Sequence, residues 1–176
     1  GVLRELAFAL NMTGFGAGVF MYVGLLALTM ARHFLGAPVE GKMTPTLWVH
    51  LAPLSVIPLS MLALLKTTGD ASLLRYGSLV AAAFLGAALW WLVLAVSMTI
   101  RNRRQGKLPF ALSWWAFVFP IGACSVLAYR VSELLALEVL PLVASGLTLL
   151  ALFVWSATAL GTVRGIRTGA IFAPAH

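Results

Sequence analysis

Five apolar runs leave this chain a single kind of solvent. They lie at Leu6–Ala31, Leu47–Leu65, Tyr76–Ile100, Ser113–Ala128 and Val139–Val163, each near or above the roughly 20 residues a helix needs to cross a hydrocarbon core. Of 176 residues, 61% are apolar and 10% charged, with a mean hydropathy of +1.00. A water-soluble globule could not cover its surface from such a composition. The expected fold is all-α: a polytopic membrane protein of five transmembrane helices in a single transmembrane domain, residues 1–176.

The net charge of +7 would suggest nucleic acid as the partner of a soluble chain. Here the basic residues sit in short links between apolar runs, so topology is the better explanation and no nucleic acid is expected. With five spans, one side of the bilayer receives Arg32, Lys42, Arg101, Arg103, Arg104, Lys107, Arg164 and Arg167, eight cations. The other side receives Arg4, Lys66, Arg75 and Arg130, together with Glu5, Asp70, Glu133 and Glu138. The positive-inside rule puts the first side, and with it the C-terminus, in the cytoplasm of a cell with its inner (plasma) membrane as host. Trp48, Trp114 and Trp115 open spans on that side, as an aromatic belt would. The Gly1 end then lies outside. Gly1 in place of Met, and the lack of a basic segment with a cleavage site, speak against a signal peptide. The chain is expected to be a piece of a longer protein or a processed one, and five further spans before Gly1 would bring both ends inside.

The first span carries Gly14, Gly16, Gly18 and Gly24. Gly14 and Gly18 form a GxxxG face that lets helix backbones approach closely, whereas a phosphate-cradling loop would need a preceding strand and a following Lys-Ser/Thr. The third span, rich in Ala81, Ala82, Ala83, Gly86, Ala87 and Ala88, predicts an unbroken packing helix. The fifth has Pro141 only at its start, where proline is tolerated. Spans two and four differ. The second holds Pro53 and Pro58, the fourth Pro120 with Gly122 two residues on. An interior proline removes a backbone hydrogen bond, and lipid offers no replacement. Broken spans therefore tend to line cavities, so Pro53, Pro58, Pro120 and Gly122 are candidate pore-lining kink residues. His50 is the ionisable side chain well inside a span, a candidate polar pore residue, against the reading of a neutral histidine bonded to a neighbouring carbonyl. Arg101–Lys107, the densest basic cluster, is read as a topology signal ahead of a nucleic-acid or lipid-headgroup patch. The lone Cys124 excludes an intrachain disulfide.

The fourth span, Trp114-Trp115-Ala116-Phe117-Val118-Phe119-Pro120 followed by Ile121-Gly122-Ala123, resembles the WWA-x-x-FP-x-G signature of the tellurite-resistance/dicarboxylate transporter family. That family includes plant slow-type anion channels, fungal malate permeases and sulfite exporters. The resemblance covers the whole chain in hydropathy order, with weaker support from Pro45-Thr46-Leu47-Trp48 and Ala52-Pro53. It implies that this chain matches the C-terminal five-span half of a ten-helix pore, with two kinked inner helices and three straight outer ones. It implies that Phe119 is the gating phenylalanine and that Pro53 and Pro120 are kink prolines; Phe117 is the weaker gate candidate, and a core-aromatic reading of Phe119 stays open.

The implied function is movement of small anions or dicarboxylates of the tellurite, sulfite, malate or chloride class through a phenylalanine-gated pore. No Lys or Arg lies mid-span, so the weak positive potential would come from helix N-termini and exposed backbone N–H groups at the breaks. Two inner helices cannot close a pore. The expected partners are the lipid bilayer, the small anions, and either a missing N-terminal five-span half, a partner chain or further copies, for instance in a homotrimer. The alternative function is a membrane-anchor or structural subunit of a redox complex. His33, His50 and His176 are its available haem ligands, and His50 is the one expected in a span. No acid pair, metal cluster or nucleophile–base set points to an enzyme, a metal or a cofactor.

Overall fold

The computed structural model describes residues 1–36 and 44–169. Lys42 and His176, which figured in the topology and ligand expectations, lie outside the described residues. Helix α1 runs Val2–Leu35, α2 Thr44–Val49, α3 Leu51–Thr68 and α4 Ala71–Arg104. A 3-10 helix, Leu112–Phe117, precedes α5 (Val118–Leu135), and α6 is Leu140–Thr168. Taking α2 with α3 and the 3-10 segment with α5, five helical stretches are long and apolar enough to cross a membrane. Each extends beyond its apolar run; the fourth reaches Leu135 rather than Ala128.

The helix ends follow local chemistry. At the head of α4, Asp70 Oδ1 accepts from the amides of Ser72 at 2.8 Å and Leu73 at 3.2 Å, satisfying two of the donors a helix start leaves open. One residue earlier, Gly69 ends α3 in the left-handed region at φ 74°, which only glycine adopts without strain. The α3–α4 reversal is thereby fixed within two residues.

The broken spans are broken ahead of their prolines. Pro53 is the third residue of α3 and Pro120 the third of α5. A proline in the first helical turn forfeits no hydrogen bond of its own helix. Its ring instead crowds the carbonyl four residues back, here Val49 or Ala116, and what is interrupted is the turn leading up to it. The α-helix is interrupted at His50 in one span and begins from a 3-10 segment at Phe117–Val118 in the other. Pro58, by contrast, is carried inside a continuous α3. Each broken span thus has one plan: a short helical segment, a break, then an 18-residue helix.

Helix α3 packs on both α4 and α5, α5 packs most extensively on α6, and α4 also packs on α5. The two broken spans meet at both levels, since α2 packs on the 3-10 segment as α3 does on α5. Helix α4 joins this centre through one stripe, Ser78, Ala81, Leu85, Ala88, Trp91 and Ala95, all buried. Their spacing of three to four residues is that of a single helix face, and its small side chains admit close approach. Ala83, Gly86 and Ala87, on other faces of the same helix, are exposed. Helix α1 touches the rest mainly through α3 and buries one residue, Tyr22. Its Gly14 and Gly18 have no side chain of this chain against them.

Buried donors stabilise the first break. Trp91 Nε1 on α4 donates to the Leu47 carbonyl at 2.7 Å, and Tyr22 OH on α1 to the His50 carbonyl at 3.3 Å. Nearby, Asn102 Nδ2 donates to Thr44 Oγ1 at 2.6 Å with both residues buried. Replacing Trp91 by Phe leaves the buried Leu47 carbonyl without that donor, a loss of about 1–3 kcal/mol. Thermal unfolding of the purified protein in detergent should show a lowered midpoint for Trp91→Phe; an unchanged midpoint would mean the break needs no such support.

Candidate pore-lining groove

The sequence motif Phe117-Val118-Phe119-Pro120 straddles the second break, and the break sends its two phenylalanines to opposite surroundings. Phe117 closes the 3-10 segment and is 5% exposed. Its ring meets Trp48 edge-on at 5.2 Å and Trp114 at 5.8 Å. It is a core aromatic that locks α2 to the 3-10 segment, so it is not free to act as the weaker gate candidate. Phe119, second residue of α5, is 64% exposed. It projects along a groove of about 760 Å³ whose walls include Val56 and Leu59 of α3, Gly122 and Val126 of α5, and Trp155 of α6.

On an ideal helix at 100° per residue, Phe119, Gly122 and Val126 fall on one face of α5. Gly122 has no atom near the place of its missing side chain, so the groove is open there. The residues lining the groove are all uncharged. The polar groups it does contain are turned inward on one another: Ser125 Oγ donates to the Ala144 carbonyl at 2.8 Å and lies 2.7 Å from Thr148 Oγ1. Two 18-residue helices, α3 and α5, begin beside each other at the breaks, within stretches long and apolar enough to cross a membrane.

The remaining candidates separate. Pro58 and Pro120 are buried at the α3–α5 packing centre and Pro53 is half-buried, so the prolines shape the wall from behind. His50 is half-buried at the first break, its ring 5.2 Å from that of Trp91 and 6.2 Å from that of Tyr22. It is not among the residues lining the groove beside Phe119. His33, expected in a loop, is helical; its Nδ1 lies 3.0 Å from the Thr29 carbonyl and its ring 5.8 Å from Trp91. Trp91 thus sits against both histidines, and the cavity beside His33 and Trp91 measures about 60 Å³. A small-molecule pocket takes roughly 300 Å³ or more, so a haem does not fit there. Trp48, expected in an interfacial belt, is 4% exposed and donates from Nε1 to Thr99 Oγ1 at 3.0 Å. Its role is internal because α2 is wedged between α4 and the 3-10 segment.

Trp91 and Tyr22 escaped the sequence reading. A tryptophan in an apolar run carries no sign that its one N–H reaches a carbonyl 44 residues away. Ser125 and Thr148 were equally silent, since small hydroxyl residues are common in membrane helices.

Five stretches long and apolar enough to cross a membrane, two of them broken, with an uncharged groove, define a multi-pass membrane protein of the transporter and channel type. The chain belongs to the SLAC1 family of voltage-dependent anion channels, whose pattern matches residues 4–163. It is 32% identical over 172 residues to a Methanocaldococcus jannaschii protein named Uncharacterized transporter MJ0576, covering 98% of this chain and 50% of that one. A second protein of the same organism, Uncharacterized transporter MJ0762, is 31% identical over 172 residues with the same coverage of each chain. This chain therefore spans about half the length of these relatives. No solved structure matches it.

The groove makes a chemical prediction. Cys124 is fully buried and should resist a charged, membrane-impermeant thiol reagent, while a cysteine at Val126, 51% exposed on the groove, should react. A Val126→Cys variant as inert as the parent, assayed by mass shift in membranes, would place this face against lipid or protein instead of water.

Proposed function

We infer that the face of α3 and α5 carrying Phe119 borders an anion pathway, and that Phe119 is its stopper. The observation that carries this reading is the placement of Phe119, exposed on the groove one residue beyond a helix break. A phenyl ring there can turn about its side-chain bonds without disturbing the core, because Phe117 and Pro120 on either side are the buried anchors. Membership of an anion-channel family supports the direction of the argument.

The groove lacks a fixed cation, which suits conduction: an ion held by a buried arginine would not leave. Attraction comes from the N-terminal ends of α3 and α5, each about half an elementary charge. Such a site recognises charge and size more than shape, and the cargo class is accordingly small anions and dicarboxylates, tellurite, sulfite, malate and chloride among them. Two broken spans form only part of a wall. The remainder comes from an N-terminal half or from other chains, whether a partner or copies in a homotrimer. The excess of basic residues at the end holding Arg101–Lys107 and Arg164 supports a cytoplasmic side for that end and the C-terminus at the plasma membrane.

Phe119→Ala is expected to raise anion flux about tenfold in liposomes carrying the full-length protein, equivalent to about 1.4 kcal/mol off the barrier. Flux of chloride, nitrate and malate should be compared at two pH values. Flux unchanged from the parent would remove Phe119 from the gate.

A further inference from the structure

We propose that a cleft at the basic end of the molecule, between α4, the 3-10 segment and α6, is a binding site for one anionic phospholipid, with Arg103 and Arg164 on its headgroup. Helices α4 and α6 both pack on α5 but make little contact with each other. Where the second broken span gives way to its 3-10 segment, they are held apart. The resulting cleft, about 480 Å³, is lined by Arg103 and Thr99 of α4, Phe110 and Trp114 before the break, and Phe153 of α6. A second hollow of about 570 Å³ adjoins it, lined by Leu112, Gly161, Arg164 and Thr168. Phe110 borders both. Its ring lies directly over Gly161, where any side chain would collide with it, and 5.5 Å from Trp114.

Charge decides the occupant. Arg101, Arg103, Arg104, Lys107, Arg164 and Arg167 all lie at this end. Among the described residues the ion pair is Arg130–Glu133, at the opposite end of α5. No described carboxylate thus neutralises Arg103 or Arg164. A cleft with aromatic walls, opening past the exposed Phe153 towards the bilayer, with two arginines in its lining that meet no described carboxylate, matches an acyl chain below a phosphodiester. Neutral lipid gives the arginines no net charge to meet, and a soluble anion leaves the aromatic walls unused. Basic pockets between membrane helices hold anionic headgroups by the same physics, and the planar guanidinium suits phosphate oxygens. The site does not depend on whether the chain moves anions.

The test uses the full-length protein in nanodiscs of equal parts phosphatidylcholine and phosphatidylglycerol, with retained lipid identified by native mass spectrometry. The parent should retain phosphatidylglycerol about tenfold over its mixing ratio. Arg103→Gln with Arg164→Gln should abolish that preference. Arg101→Gln with Arg104→Gln, an equal charge loss at the same end but away from the cleft, should keep it. Equal losses in the two double variants would reduce the effect to diffuse surface charge and overturn the site. So would a parent without preference, or displacement of the lipid by glycerol phosphate as readily as by a diacyl lipid.

Discussion

A backbone that breaks inside a membrane must find its hydrogen-bond partners in protein, and most of this architecture can be traced to that requirement. The first break is served from two directions, by the indole of Trp91 on α4 and the phenol of Tyr22 on α1. Moving α4 would strand the Leu47 carbonyl in an apolar medium, where an unsatisfied group is worth several kcal/mol, whereas the His50 carbonyl also accepts from the Leu54 amide at 3.5 Å. The straight helices are therefore more than a lipid-facing jacket. They supply the donors that allow their neighbours to be irregular.

The second constraint is that both breaks occur in the same register relative to a proline. Pro53 and Pro120 occupy the same position of two equally long helices, so α3 and α5 begin together and the segments before them also meet. Trp48 and Phe117 seal this meeting edge-to-face, a geometry aromatic pairs favour. One consequence is functional. With Phe117 committed to the seal, the next aromatic on α5, Phe119, is left on the open side. Another is that the starts of α3 and α5 lie next to each other.

Much apolar surface remains uncovered. Helix α1 leaves Phe20, Met21 and Leu28 exposed as well as its glycine face, and the exposed groove beside Phe119 is a wall with no opposite side. These faces are exposed among the described residues of a chain that spans about half the length of its relatives. The two ends differ in kind. One gathers arginines that meet no described carboxylate around an aromatic cleft, while at the other Arg130 pairs with Glu133.

The number of spans, their apolar length and the pairing of broken with straight helices were all legible in the sequence, because hydropathy and proline act locally. The α3–α4 turn rests on equally local chemistry, the left-handed Gly69 and the side-chain cap of Asp70. Three-dimensional packing decided the rest. It placed the breaks before the prolines, buried Trp48 and Phe117, drew His33 into α1, and kept His50 away from the groove. Phe117 and Phe119 are chemically the same residue two positions apart. Only the change from a 3-10 to an α-helical path between them, set by contacts with α2 and α6, determines which one is core and which one faces the opening.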